Sequence, residues 1–359
     1  MSTLALVLLK ASRLRVAAVG LALLSGAAAG VAGAADATGA AAGGGAPPKV
    51  RDLAEMPSEL ARLASRSLLL DLATAGNRLV AVGSRGHILI SDDAGQSWTQ
   101  TETPTQGLLT GVCFADAQHG IVVGHDEIIL ASGDGGRTWK RTHFAPQAQQ
   151  PLLDVWCGAQ GRAIAVGAYG VYLVSKDYGA SWQERKLDAA AQAADAADSG
   201  DEIVGGYHLN AIAADASSRL YVAAEAGHLY RSDDQGETWK ALPSPYPGSL
   251  FGVLPLKGDA VLAFGLRGNL FKSADAGASW RQVVTGTDAM LDGATTLDDG
   301  RIAVVGLSGV VLLSHDGASS FSLLQQNDRK GLAAAREVRN GTLVTVGEAG
   351  VKLIKEPNP

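Results

Sequence analysis

The chain has 359 residues with 30 Lys+Arg against 36 Asp+Glu, a formal charge of −6. That acidic balance disfavours nucleic-acid binding. Two cysteines and seven histidines with no His-x-His or Cys-x-x-Cys spacing give no metal-site signature.

Residues 1–35 carry Lys10, Arg13 and Arg15 ahead of the apolar run Val16–Ala35, which ends in small residues around Ala32-Gly33-Ala34. This pattern predicts a secretory signal peptide, cut near Ala34 or Ala35, with an uncleaved anchor as the alternative. Export to a periplasm or lumen follows, and the mature chain would hold 27 Lys+Arg against 36 Asp+Glu. No cysteine follows the apolar run, which argues against a lipid anchor there. Residues 36–48 (DATGAAAGGGAPP) read as an Ala/Gly/Pro linker, and 49–359 as a single domain.

From residue 68 onward a four-strand pattern repeats. In the first unit the predicted strands are Leu68–Ala73, Arg78–Val82, His87–Ser91 and Ser97–Thr103, with turns at Gly76-Asn77, at Gly83–Gly86 and at Ser91–Trp98. The last turn has the form S-x-D-x-G-x-[ST]-W and returns at 132–139, 175–182, 232–239, 273–280 and, in worn form, 314–321. The central acids Asp93, Asp134, Asp177, Asp234, Asp275 and Asp316 are spaced by 41, 43, 57, 41 and 41 residues, a propeller-like period. In this box the carboxylate caps backbone N–H groups, the glycine supplies positive φ, and Trp98, Trp139, Trp182, Trp239, Trp280 and Phe321 cover apolar sheet. Sixfold repetition marks these acids as structural, and a single recurring acid does not make a calcium loop.

A blade with two apolar faces buries them only against neighbours, so the expected fold is all-β, a seven-bladed β-propeller of four-stranded antiparallel blades. Six units run from about 68 to 325, and a seventh starts at Gly331 with three strands, turning at Asn340-Gly341. Its fourth strand is expected from Lys49–Met56, with six blades and a loose tail as the alternative. The 57-residue interval holds an insertion at about 187–206. Cys113 and Cys157 fall in the same strand of successive repeats, one place out of register, so they lie on opposite faces of adjacent sheets. Two buried free thiols and a disulfide are both compatible with that parity, the free thiols being the expectation.

The boxes resemble the BNR/Asp-box repeats of sialidases and related propellers. The fuller signature, V-G-x-x-G-x-[IL]-x-x-S-x-D-x-G-x-[ST]-W after an L-L-D-[LV] strand, is similar to the photosystem II stability/assembly factor family across about residues 49–355. The resemblance implies a lumenal or periplasmic propeller that helps assemble a membrane complex. Similar proteins in non-photosynthetic bacteria, the branch expected here, are linked by gene context to resistance-nodulation-division exporters.

Chain direction puts the turns between second and third strands on the face opposite the boxes, and there the blades differ. Arg85, His125, Glu127, Tyr169, Glu225, Arg267 and Glu348 lie in those turns; Tyr207, His208 and Tyr246 lie in connections between blades. Mixed polar and aromatic residues on one rim suit protein recognition. The expectation is therefore a monomeric, non-catalytic accessory factor without a cofactor, docking a membrane complex or transporter component through this face. The alternative is a sialidase-like or other glycan-processing or glycan-binding propeller, for which Arg85, Arg267, Tyr169, Glu127 and Glu225 are the available set; the Arg-Ile-Pro segment that this resemblance calls for is absent.

Overall fold

A computed structural model of the chain describes residues 52–187, 206–339 and 341–355. The expected leader, the linker and most of the insertion lie outside these residues. The described residues form seven antiparallel sheets, six of four strands and one of three, each in simple meander order. In blade 1 the strands are Leu69–Ala75, Arg78–Gly83, Ile88–Ser91 and Thr99–Thr101. The seventh blade consists of Leu332–Arg339, Thr342–Gly347 and Gly350–Ile354.

Seven apolar clusters hold the ring, and each spans one seam between neighbouring blades. The closing seam joins Ala334, Val344 and Val346 of blade 7 to Leu69, Leu72 and Leu79 of blade 1. Each box aromatic packs on the seam with the preceding blade: Trp98 on 7–1, Trp139 on 1–2, Trp182 on 2–3, Trp239 on 3–4, Trp280 on 4–5 and Phe321 on 5–6. The 6–7 cluster has aliphatic residues in their place.

The boxes share one hydrogen-bond scheme. In the first, Asp93 accepts from Ser91 Oγ at 2.8 Å and from the Ser97 N–H at 2.9 Å, and Gly95 N–H donates to Ser91 Oγ at 2.9 Å. These donors hold Asp93, Asp234 and Asp275 at about 2, and Asp316 further below the usual carboxylate range. The fourth and fifth box residues are left-handed, as at Ala94 (φ 58°) and Gly95 (φ 82°). In the worn box the fifth position is Ala318, held at φ 64°.

At the other end of each blade, the turn from second to third strand donates an N–H to the residue just before the inner strand, as Ser84 does to Leu68 O at 3.0 Å and Glu348 to Gly331 O at 2.9 Å. That close approach explains the Val-Gly pair before the turn. A Cβ on Gly83 would sit 2.3 Å from Leu68 O, and one on Gly347 2.1 Å from Gly331 O. Blade 4 carries Ala224 here and accommodates the methyl by moving to φ −133°, where Gly124 stays at −170°.

Two expectations need revision. Instead of a fourth strand on blade 7, Leu53–Glu55 forms a 3-10 turn whose Leu53 carbonyl accepts from Gln106 N–H at 2.9 Å. Residues 58–61 then run beside the outer strand of blade 1, with Ser58 N–H on Thr103 O at 2.9 Å and Gln100 holding Ala61 N–H and Glu59 O. Residues 49–51 lie outside the described residues. Second, Cys113 and Cys157 are a disulfide, Cα–Cα 5.6 Å, rather than two free thiols. The one-place offset puts them on the faces that meet at the 2–3 seam, so the parity that permits a bridge is the parity adopted.

The bridge closes a loop of sequence separation 44 between two inner strands. Replacing both cysteines by serine should lower the unfolding free energy by about 2–4 kcal/mol. Urea denaturation with and without dithiothreitol reads this, and only the native chain should respond to the reductant.

Candidate functional site

Two regions differ from blade to blade: the turn face and the central channel. On the turn face, six turns hold a non-glycine residue in the left-handed region, namely Arg85, Asp126, Tyr169, Ala226, Arg267 and Ser308, with φ between 55° and 59°. The conformation fixes where each side chain leaves the rim. Arg85 and Arg267 are exposed and stand on blades 1 and 5, which are not neighbours.

The expected rim residues separate into groups. Tyr169, Tyr207, His208 and Glu225 come together at the 3–4 seam. Tyr169 meets His208 edge-on at 4.8 Å between ring centres, Tyr207 lies against His228 at 3.8 Å, and His208 Nδ1 is 3.2 Å from Glu225 Oε2. His208 is only 6% exposed and carries Tyr169 on its ring, while Tyr207 rests on His228. Glu127 is likewise buried, 3.1 Å from His143, and is not an open rim group. His125 lines the channel mouth, where burial holds its imidazole below the usual value and therefore neutral at pH 7. Tyr246 stacks on Phe271, and Glu348 accepts the Gly331 N–H at 3.1 Å. Of the set a sialidase-like site would use, Tyr169 and Glu225 share contact with His208, whereas Arg85, Glu127 and Arg267 belong to other blades.

The inner strands enclose a cavity of about 450 Å³. Each of the seven carries a register shift at its second residue, next to the turn face. Such bulges turn a side chain away from the ladder. Side chains at the second and third positions stitch successive blades. Asp71 accepts from Leu72 N–H at 2.7 Å and from Val112 N–H of blade 2 at 2.8 Å. Thr110 donates to Leu152 O of blade 3 at 2.7 Å. Asp154 accepts from Val155 N–H at 2.7 Å and Ile212 N–H of blade 4 at 2.9 Å, and Asn210 donates to Leu250 O of blade 5 at 2.8 Å.

Burial, then the neighbouring Asp71 charge, pushes Asp154 up to about 7. Burial also raises Asp71, against the opposing pull of Arg336. Asp292, second in its strand like Thr110 and Asn210, lines the cavity and is driven well above the usual range by burial alone, and its buried Oδ2 has no hydrogen-bond partner. Sequence reasoning did not single out these acids. The signal was Leu-Leu-Asp at 69–71 and 152–154 and Leu-Asp-Gly at 291–293, in strands whose seven-blade geometry points one face at the axis.

These opposite shifts set a pH profile. Acids with raised pKa stabilise the fold below about 3.9 and lose that contribution as pH rises through the folded value, about 7 for Asp154. The box acids act with the opposite sign, their contribution being lost as pH falls from about 4 towards 2. Stability should therefore be highest on the acid side of neutrality, between about pH 4 and 6. Asp292→Asn should raise the melting temperature at pH 8 more than at pH 4.5. Asp154→Asn, which replaces one acceptor of two backbone bonds, should lower stability at pH 8 by about 1–3 kcal/mol. Thermal and urea unfolding at the two pH values check both.

Comparison with known proteins fits this architecture. The family described as "Photosynthesis system II assembly factor YCF48" matches residues 90–190, and the BNR/Asp-box repeat matches 230–241. The photosystem II assembly lipoprotein Ycf48 of Synechococcus sp. (strain CC9902) is 28% identical over 155 residues, 43% of this chain and 42% of that protein. The match thus spans less than half of the curated relative. Two solved structures share the fold: YCF48 from Cyanidioschyzon merolae (TM-score 0.65, 17% identity, 82% of this chain and 97% of that one) and YCF48 bound to D1 peptide (TM-score 0.64, 15% identity, 82% and 95%). The chain is a seven-bladed β-propeller of BNR/Asp-box repeats, similar in sequence to the Ycf48 photosystem II assembly factors.

Proposed function

We propose that this propeller is an exported, non-catalytic assembly or accessory factor that docks a subunit of a membrane protein complex on its turn face, with an exporter component as one such partner. The observation that carries the reading is the patch formed by Tyr169, Tyr207 and His228 beside the buried His208, which pairs with the partly exposed Glu225 at the 3–4 seam. Aromatic side chains held against neighbouring rings lose little freedom on binding and supply large contact area, the usual make-up of an interface anchor. A related propeller captured with a D1 peptide supports a peptide segment of a membrane subunit as the docking element. The disulfide supports an oxidising compartment, in line with the leader expected at residues 1–35. The spread of Arg85, Glu127 and Arg267 over separate blades gives the glycan-processing reading no assembled carboxylate-binding site. The similar non-photosynthetic bacterial proteins remain the branch we favour.

The test is quantitative co-purification from envelope membranes. Tyr169→Ala with Tyr207→Ala should weaken retention of the membrane complex by about 30-fold, the effect of losing a hot spot worth about 2 kcal/mol. Arg85→Glu with Arg267→Glu should have a smaller effect. Retention unchanged in the tyrosine variant, with its thermal unfolding also unchanged, would exclude this patch.

A further inference from the structure

The inner ring leaves one charge unanswered. Three carboxyl groups line the channel, Asp71, Asp154 and Asp292, against one guanidinium, Arg336. Asp71 and Asp154 are used up by the ring. Each accepts two backbone N–H groups, one from its own strand and one from the next blade, and Arg336 lies close enough to lower both. Asp292 has neither kind of support: its Oδ2 lacks a hydrogen-bond partner, and no cationic side chain offsets its burial.

Position explains why the fold does not satisfy it. Asp292 occupies the bulged second place of its inner strand, where Thr110 and Asn210 donate to the carbonyls of Leu152 and Leu250 across the seam. A carboxylate in that place has nothing to donate. Its Oδ2 finds no donor within the ring, so compensation for an ionised group has to come from the channel side. Burial therefore favours the protonated acid at Asp292 until a cation in the channel compensates the ionised form.

We propose that the turn-face end of the central channel binds an organic ammonium or guanidinium group, with Asp292 as its anchor. The wall beside the anchor suits that chemistry. Phe251 holds the same second place in blade 5, and Leu254 and Ile212 continue the apolar lining, so a hydrocarbon stem has cover and a cation has an aromatic face nearby. The volume, about 450 Å³, lies in the range of small-molecule sites. A hard metal ion fits less well. Calcium or magnesium takes six or more oxygens, and the oxygens of Asp71 and Asp154 are committed to backbone N–H groups. Among the described residues no three metal-ligating side chains cluster.

The cation can arrive free or as a lysine side chain on a docked segment, and these sources are separable. Isothermal titration of the full chain at pH 8 would use 1,4-diaminobutane as one probe and N-acetyl-lysine methylamide as the other. Sub-millimolar binding of the diamine assigns a free amine, and binding of the lysine amide assigns a side chain; either supports the site. Affinity should weaken as pH falls from 8 to 5, because proton and cation compete for Asp292. Asp292→Asn should lose at least about tenfold in affinity while remaining folded, and Phe251→Leu should weaken binding less. Asp299→Asn, an exposed loop acid, should leave it unchanged. No heat from either probe up to about 10 mM, or equal affinity in Asp292→Asn, overturns the proposal. That result would identify Asp292 as a neutral acid donating across the 6–7 seam. The outcome is independent of the tyrosine patch, so failure here leaves the docking reading intact.

Discussion

Everything in this molecule depends on the seam between neighbouring blades. A four-stranded sheet with two apolar faces has no stable existence alone, and each seam cluster draws residues from two blades, so no blade owns its core. The box tryptophans act here through geometry. Tethered by the capped turn that precedes them, they reach back over the preceding blade, and Trp98 spends that contact on ring closure with blade 7. Closure is thus a side-chain event at the 7–1 seam, reinforced by residues 58–66 passing over blade 1 and reaching the end of blade 7. Ser65 O lies so close to Gly350 that a Cβ there would approach to 2.0 Å.

Seam packing also explains why the two ends of the ring have different characters. The box end is locked by self-contained capping: each carboxylate takes its donors from within its own turn, which keeps it ionised and leaves little to offer a ligand. The turn end is built from backbone contacts between a tight turn and the start of the inner strand, so the fold asks no common side chain of these turns. Inner strands begin there, bulge there and converge on the axis. Variation from blade to blade is therefore free on the turn face and constrained on the box face.

The repeat made most of the fold legible. Box spacing, Val-Gly pairs and glycine turns place all seven sheets, and in blade 1 each strand to within two residues at either end, because each of those residues answers a local demand: a left-handed φ, a carbonyl too close for a Cβ, an apolar ring at a seam. Legibility ended where the outcome depended on packing between distant segments. Lys49–Met56 stands ahead of Pro57 where a fourth strand would be expected, but Asp52 caps a 3-10 turn by accepting the Ala54 N–H, and a local bond of that kind competes with a sheet ladder. The cysteine parity was readable, whereas the choice between thiols and bridge required the seam geometry. At the rim, residue type identified Tyr169, Tyr207, His208 and Glu225 without revealing that His208 carries Tyr169 and pairs with Glu225. Burial of Glu127 under its own turn, at φ 51°, carries no sequence signature.

The channel acids show the limit most clearly, since aspartate at the axis has two different meanings within one ring. Asp71 and Asp154, third in their strands, aim both oxygens at backbone N–H groups and serve as clasps between blades. Asp292 sits one residue earlier, on the bulge, and that single step leaves its Oδ2 without a donor. The same side chain is structural in one register and uncompensated in the next. Gly293 and Ala333 bring the backbones of blades 6 and 7 so near that a Cβ on Gly293 would lie 2.3 Å from Ala333 O, which leaves no room for the ring to re-register and satisfy the acid itself. A propeller tolerates such a group because its stability is spread over seven seams, each with its own core. Chemistry foreign to the repeat can therefore enter at one bulge without dismantling the rest.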